Sequence, residues 1–272
     1  MTLIARSNRE ARAFSPSPTP AEPTVMKTQI DHIVVVAQTL EQGVAWCEAT
    51  LGITPEAGGD HPQFGTHNRL FKIATPSFPL AYFEIIAIKK VASRAINTSA
   101  SGQNSTKNEV KNSRWFDMDD AALQAAVAKE PRLVHFVANT EDIQAGRAAL
   151  KAIGIDRGAA VEASRPTRKG RLEWKITVRD DGQRLFNGAL PSLIQWGKTN
   201  AAEPLRLHPR NTLPRSGVSL QSVAVSSPTA EKLQAAYDAI GLVGVTVSEG
   251  DANITVTLKT PKGLVALQSY GI

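Results

Sequence analysis

One pattern occurs three times along the chain, and it limits the fold more than any other feature of the sequence. Each copy is a short apolar strand rich in β-branched residues, followed by a Thr or Ser-Pro turn and an amphipathic helix that ends at a glycine. Because glycine readily adopts the left-handed conformation at a helix C-terminus, each copy predicts where its helix ends. The three copies lie at 30–53, 133–155 and 220–242.

Further strand-like segments follow each helix and complete the repeating unit. The closing segments are 81–88, 191–197 and 263–269. Each unit is therefore predicted to be βαβββ, and the fold class is predicted to be α+β. The helix of such a unit covers one face of its sheet, so two units are expected to pair their bare faces as a curved sheet around a cavity. The third unit then either packs on the side of this pair or forms a homodimer contact.

The repeats divide the chain into a paired domain and a third module. We predict a disordered leader at 1–27, a paired domain at 28–198, a connector at 199–216 and a third βαβββ-like module at 217–272. Within the paired domain, modules at 28–95 and 130–198 flank a linker loop and helix at 96–129. The leader bears Arg and Ser and few acids, so an organellar transit peptide is an alternative to a cytoplasmic protein, and Met26 is an alternative start.

Composition excludes several classes of protein. The 272 residues include one cysteine, Cys47, so an intramolecular disulfide framework and a CxxC metal or redox motif are excluded. No apolar run is long enough to span a membrane. The formal net charge is +6, but the basic residues cluster in the leader, the connector and the strip from Arg165 to Lys175, and aromatic residues, 6% of the chain, hardly interleave with them. The charge therefore does not indicate a nucleic-acid partner, which would favour interleaved stacking residues.

Polar side chains interrupt strands that are otherwise apolar. His32 lies in the first strand and Glu84 in the strand that closes the first unit, while the second unit has His135 and Gln195 in matching strands. A buried, ionised Glu84 needs a partner or a metal ion. Packing of the two units with pseudo-twofold symmetry brings all four side chains to one point, and this donor set suits a divalent first-row metal. The alternative for each histidine is a hydrogen-bonded core residue.

These residues and their surroundings resemble a known superfamily. IDHIVVV (30–36), AGGDHPQFGTHNRL (57–70), AYFEIIAI (81–88), GRLEW (170–174) and PSLIQWG (191–197) occur in the order typical of the glyoxalase-like domain branch of the vicinal oxygen chelate superfamily. The resemblance covers about residues 28–197 and extends to the third unit by pattern only. It implies that His32, Glu84, His135 and Gln195 are ligands of a divalent metal: Zn, Ni, Fe, Mn or Co.

The resemblance implies a site more firmly than a reaction. A metal with open positions binds vicinal oxygens and stabilises an enediolate as a Lewis acid, and Glu84 is the carboxylate that would move the proton. This predicts a metal-dependent lyase, isomerase or epimerase. The alternatives are an extradiol-type dioxygenase, disfavoured because the glutamate lies in the first unit, and a metal-free protein that binds or sequesters small molecules. The third unit has Ser222 in place of the histidine and is predicted to be structural.

Residues expected to contact the substrate lie in two segments. The 57–70 block and the GRLEW segment supply His61, His67, Asn68, Arg69, Arg171 and Trp174. Arg69 is predicted to bind a carboxylate or phosphate, which favours an anionic small-molecule substrate. The alternatives are a structural salt bridge for Arg69, a turn residue for His61 and a core residue for Trp174.

Overall fold

The computed structural model describes residues 27–89, 113–167, 169–197 and 203–270. The predicted leader, apart from Lys27, and residues 96–112 of the predicted linker lie outside the described residues. No helix in the described ranges is long and apolar enough to cross a membrane.

The predicted βαβββ repeat is confirmed in all three units. The first consists of β1 (Thr28–Val36), α1 (Leu40–Leu51), β2 (Glu56–His61), β3 (Thr66–Lys72) and β4 (Tyr82–Ile88). After the linker helix α2 (Ala121–Lys129), the second consists of β5 (Arg132–Asn139), α3 (Ile143–Ala152), β6 (Ala159–Thr167), β7 (Gly170–Val178) and β8 (Ser192–Trp196). A short helix α4 (Pro209–Thr212) precedes the third, which consists of β9 (Ser219–Ser227), α5 (Ala230–Ala239), β11 (Val245–Glu249), β12 (Asn253–Thr260) and β13 (Gly263–Gln268), with a two-residue strand β10 (Leu242–Val243) added after α5.

The helix ends follow from local sequence. Thr39 caps α1 by accepting a hydrogen bond from the Gln42 amide at 3.2 Å, and Asp142 caps α3 in the same way. Gly52, Gly154 and Gly241, the glycines that follow α1, α3 and α5, all have positive φ, as the repeat predicts.

The first two units form one curled sheet. Its strand order is β2-β3-β4-β1-β5-β8-β7-β6, and β1 and β5 join the two halves as antiparallel neighbours. At this junction His32 lies opposite Val137, and Val34 lies opposite His135, so the two halves are related by a local pseudo-twofold axis. The edge strands approach each other, since Arg165 Nη1 on β6 donates to the Gly58 carbonyl on β2 at 3.4 Å. The predicted curved sheet around a cavity is confirmed.

The two faces of this sheet have separate hydrophobic cores. The inner core contains Val34, Ile86 and Val137 together with Trp174 and Trp196. The outer core lies between the sheet, the helices α1 and α3, and the third unit, and its buried residues include Ile33, Phe83, Phe136, Leu193, Cys47, Leu150, Val223 and Ile254. Burial of this outer apolar surface is what holds the third unit in place.

The third unit packs on the outside of the paired units. Its four-stranded sheet has the order β11-β9-β12-β13, and β10 adds to the main sheet by pairing with the start of β1. The buried Tyr237 of α5 donates its hydroxyl to the Ala189 carbonyl at 2.6 Å. Of the two arrangements expected for this unit, the structure shows packing on the side.

Candidate functional site

A β-bulge in β1 brings two consecutive polar side chains to the inner side of the sheet. The register of β1 against β5 shifts between Ile30 and His32, so Asp31 is the additional residue. Asp31 Oδ1 lies 2.7 Å from His32 Nδ1. Without the bulge, strand alternation would direct these neighbouring side chains to opposite faces.

Asp31 is the centre of a fully buried hydrogen-bond network. Its Oδ2 accepts hydrogen bonds from Trp196 Nε1 at 2.8 Å, His208 Nε2 at 3.0 Å and Asn139 Nδ2 at 3.2 Å. Burial alone would raise the pKa of this carboxyl, but the interactions with His208 and His32 outweigh burial and hold the pKa well below its usual range. Asp31 is therefore ionised and holds the proton of His32 on Nδ1, so that Nε2 is free to face the cavity.

Glu84 faces His32 across the inner surface. Its Oε2 lies 3.5 Å from His32 Nε2, and its Oε1 accepts a hydrogen bond from Asn68 Nδ2 at 2.5 Å. Tyr82, two residues before Glu84 on β4, stacks on the His32 ring with 4.5 Å between ring centroids. His32 is 4% exposed and Glu84 5%, so both polar groups are largely shielded from water.

These side chains line a narrow cavity that is partly open to solvent, here called the carboxylate cavity. Its walls include His32, His61, Asn68, Tyr82, Glu84, Trp115, Phe116, Arg165, Trp174 and Trp196. His61 makes edge contacts with Trp115 and Trp174, and its Nδ1 lies 3.1 Å from Thr66 Oγ1. The cavity thus combines apolar aromatic walls with a small number of convergent polar groups, as ligand sites do.

Burial lowers the pKa of His61 to about 4. Since the unfolded chain binds a proton near its ordinary pKa of about 6.5, the stability that neutral His61 contributes is complete above that pH and is lost as the pH falls towards 4. We expect the free energy of unfolding of the wild type to fall by about 2–3 kcal/mol more than that of His61→Gln between pH 7.5 and 4.5. Urea denaturation at the two pH values measures this difference.

The neighbouring histidine of the same strand pair provides the control for this prediction. His67 is only partly buried, although burial also lowers its pKa, so His67→Gln should change the pH dependence much less than His61→Gln does. Equal pH dependence in the wild type and His61→Gln would show that His61 is not buried as a neutral group.

His135 occupies the matching position in the second half but has different partners. Its Nδ1 lies 2.7 Å from the Gly188 carbonyl, and its Nε2 accepts the Ser192 amide hydrogen at 3.0 Å. Both ring nitrogens are therefore engaged. Burial and, next, the charge of Arg157 hold the pKa of His135 well below its usual range.

The register shows which residue matches Glu84 in the second half. Glu84 pairs with Val34, two residues after His32, and Ser192 pairs with Val137, two residues after His135. Ser192 is therefore the counterpart of Glu84. Gln195 lies on the outer face, where its Oε1 accepts the Ile143 amide hydrogen at the start of α3 at 3.2 Å.

Of the other residues predicted to contact substrate, three line the carboxylate cavity and three do not. His61, Asn68 and Trp174 line it. His67 and Arg69 alternate with the inward-facing Asn68 on β3 and lie on the opposite face, and Arg171 is exposed and donates to Ser164 Oγ at 2.6 Å. Arg165, from the basic strip, lies in the cavity wall, where no carboxylate of the described residues pairs with it.

Several residues of the site are not indicated by the sequence pattern. Asp31 depends on the bulge, and His208 comes from the connector, 177 residues away. The adjacent Asp-His pair in IDHIVVV is the one signal that could have indicated Asp31. Nothing in the local sequence around His208 indicates its partner.

Two of the four donors implied for a divalent metal lie close together. His32 Nε2 and Glu84 Oε2 are 3.5 Å apart, which suits neighbouring donors on one ion with bonds of about 2.1 Å. His135 and Gln195 make the separate contacts described above. Within the described ranges no group of three or more His, Cys, Asp or Glu side chains is arranged to hold a metal ion, so the structure brings together two of the four predicted ligands.

Comparisons with known proteins agree with this fold. The chain matches the family model for a glyoxalase-like domain over residues 30–241, which includes the connector and the first strand and helix of the third unit. A hypothetical protein from Staphylococcus aureus has a similar structure, with a TM-score of 0.52, 16% identity, and coverage of 89% of this chain and 85% of that one.

Two enzymes from Streptomyces coelicolor are also among the similar structures. A variant of methylmalonyl-CoA epimerase gives a TM-score of 0.37 at 17% identity, covering 62% of this chain and 97% of that one. A variant of 4-hydroxymandelate synthase gives 0.42 at 11% identity, covering 89% and 63%. A search of curated proteins finds no match.

The family match spans most of the chain, and the observed βαβββ modules are those of the superfamily. The chain therefore belongs to the glyoxalase-like domain family of the vicinal oxygen chelate superfamily.

Proposed function

We propose that this protein is an enzyme of the lyase, isomerase or epimerase type that moves a proton on a small vicinally oxygenated substrate. One observation carries the proposal: Asp31 holds His32 in the tautomer whose Nε2 faces Glu84 Oε2, inside a cavity with aromatic walls. A positioned imidazole and carboxylate, shielded from water, are the groups that general acid–base catalysis requires.

Glu84 is the group proposed to move the proton. Its Oε2 accepts the proton from the carbon next to the substrate carbonyl, while the Asn68 amide keeps Oε1 in place. The carbon–hydrogen electron pair moves into the enediolate, and the protonated carboxyl then returns the proton to the same or the neighbouring carbon. The aromatic walls exclude water and thereby strengthen the interactions of these charged groups.

His32 Nε2 and Glu84 are the residues that would hold a divalent ion in this cavity. When bound, such an ion (Zn, Ni, Fe, Mn or Co) would act as a Lewis acid towards the two oxygens of the substrate. Asp31 would then orient its histidine ligand, the arrangement common around metal-bound imidazoles.

Arg165 supports a preference for anionic substrates. It lies in the wall of the carboxylate cavity, its Nη1 donates at 3.4 Å to the Gly58 carbonyl, and no carboxylate of the described chain forms an ion pair with it. This side chain is thus better placed than the predicted Arg69 or Arg171 to contact a carboxylate or phosphate group.

A hydrogen-exchange experiment tests the reaction before its product has been identified. The protein is incubated in D₂O with a panel of α-hydroxycarbonyl compounds, with and without added divalent metals, and proton NMR follows deuterium incorporation next to the carbonyl. We expect enzyme-dependent exchange for at least one compound. Oxygen uptake with catechols, without such exchange, would instead support the dioxygenase alternative.

Metal analysis tests the proposed ligands separately. Wild-type protein, supplemented with divalent metals and desalted, is expected to retain an ion that His32→Ala loses. Gln195→Ala is the matched control, because the Gln195 side chain bonds the start of α3 on the outer face and should not affect retention. Loss of metal in both variants would place Gln195 among the ligands after all, and no retention in the wild type would contradict the proposed metal.

A metal-free binding protein is the second candidate. The observation that favours it is that the described structure assembles only two of the four predicted ligands, with His135 engaged at both nitrogens. It predicts that a small molecule raises the melting temperature equally with and without a chelator, and that no compound of the panel exchanges its hydrogen.

A further inference from the structure

Arg157 is a buried cation without a carboxylate partner. It lies in the segment between α3 and β6 and is 3% exposed. Its Nε donates to the Pro191 carbonyl at 2.9 Å, and its Nη2 donates to Ser192 Oγ and approaches His135 Nε2 at 3.4 Å. All these acceptors are neutral, and within the described chain no Asp or Glu forms a salt bridge with this guanidinium. A charge buried in this way is unfavourable unless a counter-ion offsets it.

A second cavity lies beside this guanidinium. This arginine cavity is narrow and partly open to solvent, and it is lined by Trp115, Phe116, Arg157, Thr177, Val178, Arg179, Gly182, Gln183, Arg184 and Ser192. It is separate from the carboxylate cavity, although Trp115 and Phe116 line both. Three arginines and no acidic residue are among its lining residues.

The charges of the other two arginines are already matched. Arg179 pairs with Asp181 at 2.7 Å, and Arg184 pairs with Asp117 at 2.9 Å. Of the three arginines, Arg157 is therefore the one without an ion-pair partner among the described residues. Burial lowers the pKa of Arg157 to about 10, which still leaves the guanidinium charged at neutral pH.

Trp115, which lines both cavities, has an unsatisfied donor. It is 5% exposed, and its indole Nε1 is buried without a hydrogen-bond partner. Buried donors in folded proteins nearly always have an acceptor, so this N–H is a donor that a bound oxyanion could satisfy.

We propose that the arginine cavity binds a small oxyanion, the carboxylate or phosphate group of a ligand, with Arg157 as the central contact. The half of the sheet that contains Glu84 would handle the reacting carbon, and the opposite half, where Ser192 takes the place of a carboxylate, would bind an anion. The binding site does not depend on the reaction proposed for Glu84.

The test measures binding of two simple probes, inorganic phosphate and acetate, by isothermal titration calorimetry at constant ionic strength with chloride as the replaced ion. We expect saturable binding of at least one probe by the wild type. Binding of both indicates a site for any small oxyanion, and binding of phosphate alone indicates a phosphate site. Binding of neither overturns the proposal.

Two substitutions of Gln183, an exposed residue in the wall of the arginine cavity, test the anion site without disturbing the fold. Gln183→Glu places a carboxylate at the cavity and should weaken binding by about tenfold or more, whereas Gln183→Ala should leave the affinity within about twofold. Arg157→Gln, if its circular dichroism is that of the folded wild type, should abolish binding. Unchanged affinity in Gln183→Glu, or in folded Arg157→Gln, would place the bound anion elsewhere and overturn the proposal.

Discussion

Asp31→Ala should lower the free energy of unfolding by about 3–5 kcal/mol, which would make it one of the most destabilising substitutions in the protein. The carboxylate has no exposed surface and accepts hydrogen bonds from Asn139, Trp196 and His208 as well as contacting His32. Its removal leaves these buried donors without an acceptor. Urea denaturation at pH 7 measures the change.

An exposed aspartate provides the matched control. Asp238→Ala removes an exposed carboxylate on α5 whose one side-chain hydrogen bond within the described residues comes from the Gln234 amide, so stability should change by no more than about 0.5 kcal/mol. His208→Ala removes one of the donors and should have an intermediate effect. A loss below about 1 kcal/mol for Asp31→Ala would show that the network is not fully formed in solution.

Glu84→Gln should reduce the rate of substrate hydrogen exchange by about 10²–10⁴-fold. The amide has nearly the same shape as the carboxylate but does not accept a proton at neutral pH. The Asn68 contact to Oε1 can be retained, so the fold should change little. The rate of deuterium incorporation for the best compound of the panel, compared at equal protein concentration, measures the effect.

Glu56→Gln is the control for this substitution, because Glu56 is an exposed residue on β2 outside the carboxylate cavity. Its exchange rate should equal that of the wild type. If Glu84→Gln exchanges at the wild-type rate, another group moves the proton, and His32 Nε2, 3.5 Å away, becomes the first candidate.

In the pseudo-symmetric site, the sequence alone predicts the facing side chains of the first half but not those of the second. Alternation within an apolar strand correctly placed His32 and Glu84 together, because the two strands are adjacent and their register is regular. The same reasoning chose Gln195 as the fourth ligand, whereas the observed register assigns the matching position to Ser192. An error of one residue in a strand directs a side chain to the opposite face, and the sequence does not contain the register.

The block at 57–70 shows the same limit within one strand pair. His61 and Asn68 line the carboxylate cavity, but His67 and Arg69 alternate to the outer face. A basic residue from β6, Arg165, reaches the cavity because the curled sheet brings its two edges together. Edge-to-edge contacts of this kind depend on the curvature of the whole sheet.

The sequence by itself determined the threefold βαβββ repeat, the helix ends, the curved paired sheet and the family, because hydrophobic periodicity and capping residues act over a few residues. Only the tertiary structure decided that Asp31 bulges inward to hold His32, that His208 arrives from the connector, and that Ser192, in contact with Arg157, occupies the position that matches Glu84. These contacts join residues far apart in the chain, so they follow from strand register, a bulge and sheet curvature. Such features are set by the packing of the complete molecule, which no local pattern encodes.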